Sequence, residues 1–226
     1  LREGVQSVLR AFKSPSDYYY CKETALTNAR EKLQLIVGRD VDHLNKDEIL
    51  RAAAETASEN AIDGVFAPFF WMVLGAGLWQ LSPELPGPLA LTWSYKASST
   101  IDSMIGYRQG RLRWLGTVGA QLEDRLTWLP CRIVLLTMPL VSKPWGRFPA
   151  LIQAAWREGT KYESPNAGLS EAIFAHCAEV KMGGVNYYKK ASVYKPILAA
   201  NAPSADHAGV ERVLKFGLRL ELAWLS

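Results

Sequence analysis

The chain is poor in the features that mark several large functional classes. Cysteine is scarce: Cys21, Cys131 and Cys177 are odd in number, far apart and in no CxxC pair, so neither a disulfide framework nor a zinc site is indicated and reduced thiols are expected. Histidine is equally sparse, and His43, His176 and His207 are scattered. No run of Lys and Arg forms a stripe, and a net charge of +4 excludes nothing about phosphate ligands while giving no reason to expect nucleic acid. There is no GxxxxGK[ST], no GxGxxG, no HExxH and no GxSxG. No strand-like alternation of any length, internal repeat or basic-then-apolar leader is seen either.

Helical periodicity fills much of the remainder. Between Ser16 and Val37, the residues Leu26, Ala29, Leu33, Ile36 and Val37 recur at helical spacing, with Gly38 at the place of a C-cap. Asn45 followed by Glu48 reads as a capping box that opens a second helix through Ile62. Further helices are predicted from about Ser170 to Val180 and after Ser204 or Asp206, with Met182–Tyr188 as a Gly-containing loop.

Charge is absent from GVFAPFFWMVLGAGLWQLSP (64–83), about the length that a helix needs to cross a bilayer core. Trp79 stands near one end, where an interfacial anchor belongs. A second apolar stretch, 126–142, is interrupted by Arg132 and Pro139. Arg108, Arg111, Arg113, Lys143, Arg147, Arg157 and Lys161 lie between and after these stretches and place the connections on the cytoplasmic side. The expected class is all-α: one multi-helix integral membrane domain over 1–226, with amphipathic helices and cytoplasmic loops. A soluble helical interaction domain with 64–83 as its core helix is the alternative.

Four constellations carry candidate chemistry. Arg51, Glu55, Glu59 and Asp63 repeat every four residues and form a stripe on one helix face. Like charges so placed cost roughly 0.2–0.5 kcal/mol per pair, which a bound Mg2+ would offset; a solvated acidic face reads the same. Arg39 follows a helix stop, where its fork suits phosphate, carboxylate or a loop salt bridge. Lys96, Thr100, Asp102, Ser103 and Tyr107 are polar within an apolar stretch, and Asp124 and Arg132 bracket the next. Cations for phosphates and carboxylates for a metal are what a nucleotide site needs; a satisfied buried network needs the same residues. Gly183 and Gly184 would let backbone N–H groups approach a ligand.

These segments together resemble the CobD/CbiB family of cobalamin-biosynthesis proteins. The resemblance is carried by IVGRD (36–40), RAAAETASENAIDGVFAPFFW (51–71), KASSTIDSMIGY (96–107), LEDRLTWLPCRI (122–133), SPNAG with the following EA (164–172) and GGVNYY (183–188). It implies a membrane ligase, an adenosylcobinamide-phosphate synthase, that joins adenosylcobyric acid to aminopropanol or its O-phosphate using ATP and Mg2+. An inner-membrane, multi-pass location with a cytoplasmic active face follows, with lipid and other cobalamin-pathway enzymes as partners. On the same footing, Glu55, Glu59, Asp63, Asp102 and Asp124 are candidates for Mg2+, and Glu59, Asp63, Asp102 and Lys96 for catalysis. Arg39, Lys96 and Arg132 would meet phosphate or carboxylate. Asn60, Ser103, Tyr107, Asn166, Gly183, Gly184, Asn186 and Tyr187 would hold substrate. Ser99, Thr127, Ser170 and Val185 depart from the family pattern, and Leu1 opens the chain where an N-terminal membrane segment is expected. A non-catalytic membrane relative of the AmpE kind is the rival within this resemblance.

Overall fold

A computed structural model describes residues 1–12, 19–105, 113–142, 145–188 and 191–226. Tyr107, Arg108, Arg111 and Lys143 lie outside them. The helices are α1 (Arg2–Ala11), α2 (Tyr19–Gln34), α3 (Lys46–Ala61), α4 (Ala67–Leu81), α5 (Pro88–Ile105), α6 (Arg113–Ser142), α7 (Phe148–Gly159), α8 (Ala167–Ala178) and α9 (His207–Leu225). Between α8 and α9 run β1 (Met182–Tyr188) and β2 (Ala191–Leu198).

Helix α3 is the axis. Asn45 Oδ1 accepts from the Glu48 N–H at 3.0 Å while Glu48 Oε2 accepts from the Asn45 N–H at 2.8 Å, the reciprocal cap expected of this sequence. Ala52, Ala53, Ala54, Ala57 and Ala61 are buried, and such small side chains let α1, α2, α8 and α9 approach on several sides. The largest buried side chains in this core include Leu33, Ile49, Leu50, Leu169, Ile173 and Phe174. Asp206, one of the two residues expected to cap the last helix, caps α9 by accepting from the Gly209 N–H at 2.7 Å.

Helix α3 does not stop at Ala61. It passes through a π-helical turn (Ile62–Phe66) into α4, giving one continuous helix from Lys46 to Leu81. Pro68 explains the widened turn: it has no N–H for the Gly64 carbonyl, and its ring would crowd that oxygen in a regular helix. The Ala67 N–H reaches instead to the Ile62 carbonyl, five residues back. Such turns often mark functional positions, and this one carries Asp63.

Helices α4 and α5 form a hairpin so close that a Cβ on Gly75 would lie 2.7 Å from the Gly87 carbonyl oxygen. Outward from α4–α6 stand Val73, Trp79, Leu89, Trp93, Trp114, Val118, Trp128, Leu136 and Leu140, all exposed. Among the described residues, Lys46–Leu81 is the one helix long and apolar enough to cross a membrane, and only 22% of its apolar window is buried. A soluble core helix is mostly covered; among the described residues this one is not. The second expected stretch, 126–142, lies within α6, which does not meet that measure.

Two expectations need correction. The chain is mainly helical rather than all-α, because Met182–Tyr188 is a strand and not a loop. It pairs antiparallel with β2, from Met182↔Leu198 to Tyr188↔Ala191, with a bulge between Met182 and Gly184. Gly183 and Gly184 have φ of +84° and +98°, and a Cβ on Gly183 would collide with the Pro196 carbonyl oxygen. The glycines therefore serve strand packing. Helix α2 also ends earlier than Gly38: the Ile36 and Val37 N–H groups both reach back to the Leu33 carbonyl, so Gly38 lies past the cap.

Candidate functional site

The acidic stripe on α3 divides into two environments. Glu55 is fully buried and faces the β-hairpin. Its Oε2 lies 2.7 Å from Arg39 Nη2, and its Oε1 accepts from the Gly183 N–H at 2.8 Å. Arg39, also buried, donates to Asn186 Oδ1 at 2.6 Å. Arg51 lies 3.7 Å from Glu55 and donates to the carbonyls of Gly183 and Val185. The Asp40 N–H donates to the Tyr187 carbonyl at 2.8 Å. The IVGRD and GGVNYY segments are thus two halves of one clamp that docks the hairpin on α3. The structure brings Arg39, Glu55, Gly183, Gly184 and Asn186 together there, and none of them lines the cavity at Glu59 and Asp63.

Glu59 and Asp63 open onto a different space. They line a cavity of about 440 Å3 with Asp102 from α5, Glu123 and Asp124 from α6, and Glu163 from the loop before α8. Thr127, Ser164, Asn166 and Ser170 supply polar groups to the same wall. Six carboxylates and no Lys or Arg appear among the described lining residues.

Glu123 was not among the sequence candidates. Burial pushes its carboxyl up to about 7, against the Thr127 hydroxyl that donates to it and with nearby Asp124, Asp102 and Glu59 adding to the rise. Tyr95, buried on α5, hydrogen-bonds Thr127 Oγ1 at 3.0 Å and so steadies that hydroxyl. Thr127, one of the departures from the family pattern, therefore orients a wall carboxylate. Glu163 was also missed; it stands just before the SPNAG turn that brings the chain to the cavity. No local spacing distinguishes either residue from an ordinary surface acid.

Asp124 is held from the other side. Ser164 Oγ donates to Asp124 Oδ1 at 3.0 Å, and Asn166 Nδ2 donates to the Asp124 carbonyl at 2.7 Å. Arg132 donates to Asn166 Oδ1 at 2.6 Å and to the Pro165 carbonyl at 3.0 Å.

The other candidates lie outside this wall. Lys96 is exposed on α5, near enough for its charge to bear on Asp63. The Ser103 hydroxyl donates to the Ser99 carbonyl within α5. Asn60 donates to the Thr56 carbonyl and faces a separate groove beside Leu1, Gly64 and Gly217. The Tyr187 side chain is exposed on β1. Tyr107 is outside the described residues.

Chemically, the cavity suits ligands that bring positive charge. Among the described residues, no three His, Cys, Asp or Glu side chains converge into a ready-made metal cage. Mg2+ rarely needs one: it keeps waters and takes one or two carboxylates together with substrate phosphates. The donor set fits that habit.

The comparisons accord with these motifs. A family model described as CobD/Cbib protein matches residues 5–216. A cobalamin biosynthesis protein CobD of Synechocystis is 40% identical over 198 residues, covering 88% of this chain and 53% of that protein. Those of Yersinia enterocolitica and Halalkalibacterium halodurans are 37% and 40% identical over 174 and 166 residues, covering 76% and 73% of this chain and 50% and 48% of theirs. The chain thus spans about half the length of the curated relatives it matches. No solved structure shows significant similarity. With nearly its whole length matched by the family model and its motifs in family order, the chain belongs to the CobD/CbiB family.

Proposed function

We propose that the protein is the catalytic body of a membrane-bound ligase that makes adenosylcobinamide or its phosphate. It would join adenosylcobyric acid to aminopropanol or aminopropanol O-phosphate at the expense of ATP. The observation that carries this reading is the single cavity uniting Glu59, Asp63, Asp102 and Asp124 from three helices, next to an apolar helix that is largely uncovered.

Amide formation from a free carboxylate needs activation. In the proposed sequence the carboxylate oxygen attacks the γ-phosphorus of ATP, giving an acyl phosphate and ADP. The amine nitrogen then attacks the acyl carbon, the carbon–oxygen bond to phosphate breaks, and the nitrogen gives up a proton. When bound, Mg2+ would neutralise phosphate charge, a need made acute by the absence of Lys and Arg from the described wall. Glu59, Asp63, Asp102 and Asp124, with Glu123, are the residues that would hold it. The same acids would draw in the ammonium form of the amine, and one of them would accept its proton. A cavity of about 440 Å3 admits the reacting arm and small co-substrates, while the corrin ring would lie across its mouth.

Membrane attachment belongs to the same proposal. The exposed apolar surface of α4–α6, with Trp79 and Trp93 among it, would face lipid, and the acid cavity would open toward the cytoplasm. The test is ATP-dependent conversion of adenosylcobyric acid by membranes containing the full-length protein, comparing aminopropanol with its phosphate. Glu59→Gln is expected to abolish conversion without changing the amount of protein in the membrane. Near-normal ligation by that variant would remove Glu59 from the site, and no conversion with either donor would refute the assignment.

A further inference from the structure

We infer that Arg132 is a positioning residue of the acidic cavity, acting through the Pro165–Asn166 turn and not on a ligand. Its charge and its place on α6 would equally suit a phosphate contact, but both terminal nitrogens are already engaged, and Nε is buried without a partner among the described residues. Nη1 donates to Asn166 Oδ1 at 2.6 Å and to the Trp128 carbonyl at 3.0 Å; Nη2 donates to the Pro165 carbonyl at 3.0 Å. The guanidinium carbon sits 4.5 Å from the Trp128 ring centroid, and the residue does not line the cavity. A planar fork stacked on an aromatic face is held in orientation as well as place.

The consequence passes to Asn166. Arginine can only donate, so the side chain of this buried asparagine must turn its oxygen toward Arg132 and its amide nitrogen toward Asp124. Nδ2 meets the Asp124 carbonyl at 2.7 Å and Oδ1 at 3.3 Å. Ser164 Oγ meets the same Oδ1 at 3.0 Å and accepts from the Asn166 and Ala167 N–H groups. Arg132 thereby aims an asparagine, which aims a carboxylate of the wall.

This inference rests on the reading of the cavity as a divalent-cation site, and the two separate experimentally because charge and position predict opposite signs. Removing a positive charge beside an acidic cavity strengthens cation binding by Coulomb's law. Removing a support for a ligating carboxylate weakens metal affinity, commonly 10–100-fold. The experiment uses Mn2+ as the probe, titrated by electron paramagnetic resonance into the detergent-purified full-length protein and into Arg132→Met and Arg132→Lys. Both variants are expected to bind at least about tenfold more weakly, because lysine keeps the charge and lacks the fork. Tighter binding by Arg132→Met with unchanged Arg132→Lys would show a purely electrostatic role and overturn the inference, as would unchanged binding in both. Hydrogen exchange at the Asn166 and Ala167 amides supplies a readout that needs no metal, and both variants are expected to exchange there at least about tenfold faster than the wild type. If the wild type binds no Mn2+, the cation reading of the cavity fails on its own account, and wild-type exchange rates in the two variants would still overturn the role of Arg132.

Discussion

Replacing Glu55 with glutamine is predicted to loosen the β-hairpin and leave the metal site unharmed, the reverse of what its place in the acidic stripe suggests. Glu55 is fully buried, and its charge is met by Arg39 at 2.7 Å and Arg51 at 3.7 Å. Arg39 is itself buried and reaches solvent nowhere that could replace the lost partner. Breaking such a pair from one side costs about 3–5 kcal/mol, because an uncompensated charge stays behind. A chain of this size shifts its melting temperature by roughly 2–4 °C per kcal/mol, so a fall of about 6–20 °C is expected. The double variant Arg39→Met with Glu55→Leu removes both charges and is expected to recover most of the loss, since apolar replacement of a buried pair is often neutral or stabilising. Thermal unfolding followed by tryptophan fluorescence measures all three proteins, and Mn2+ titration of the folded Glu55→Gln protein measures the cavity. The reasoning is refuted if Glu55→Gln melts within 2 °C of wild type. It is equally refuted if that variant stays stable and loses Mn2+, because Glu55 would then be a ligand.

Three further expectations do not rest on the Arg39–Glu55 ion pair. Gly183→Ala forces a side chain into a left-handed conformation and against the Pro196 carbonyl, so a loss of at least about 1–3 kcal/mol is expected in denaturant titration, while Gly64→Ala, with open space at its Cβ, should change little. Asn45→Ala removes the cap of α3 and should cost about 1 kcal/mol by the same measurement, with Asn45→Asp near wild type. Glu158 is held below the usual carboxylate range: burial opposes this, but the Ala199 N–H at 2.9 Å and His176 at 2.7 Å outweigh it. A depressed carboxyl stabilises the fold above its unfolded value of about 4.3 and loses that contribution as the pH falls through the folded value. Thermal melts from pH 7 down to 3 should therefore fall less steeply for Glu158→Gln than for the wild type, and parallel curves would refute the assignment.

The parts of the architecture legible in the sequence are those fixed by neighbours along the chain. The Asn45–Glu48 box, the cap at Asp206 and the uncharged run at 64–83 depend on residues within a few turns of one another, and each is found where expected. The hairpin was hidden because two glycines at positive φ and a bulge erase the alternation that would announce a strand, while its anchor comes from Arg39, 147 residues before Asn186. The stripe on α3 was legible as a stripe but not as two sites. Residues four apart drift by about 40° around a helix, and Asp63 already lies within the π-helical turn. Across those few steps the face turns from the hairpin clamp at Glu55 to the cavity at Glu59 and Asp63. Glu123 and Glu163 gain their meaning only when α6 and the turn before α8 meet α3. The cations show the same limit from the opposite side. Arginine offers the same fork to a phosphate and to a backbone carbonyl, so residue type alone cannot separate the two uses. Burial at Arg39 and the hydrogen bonds of the Arg132 terminal nitrogens do separate them, and they leave no Lys or Arg among the described lining residues of the cavity. On the proposed function, a polyanion entering beside these acids would bring its own cations, so nucleotide binding is expected to depend on divalent metal.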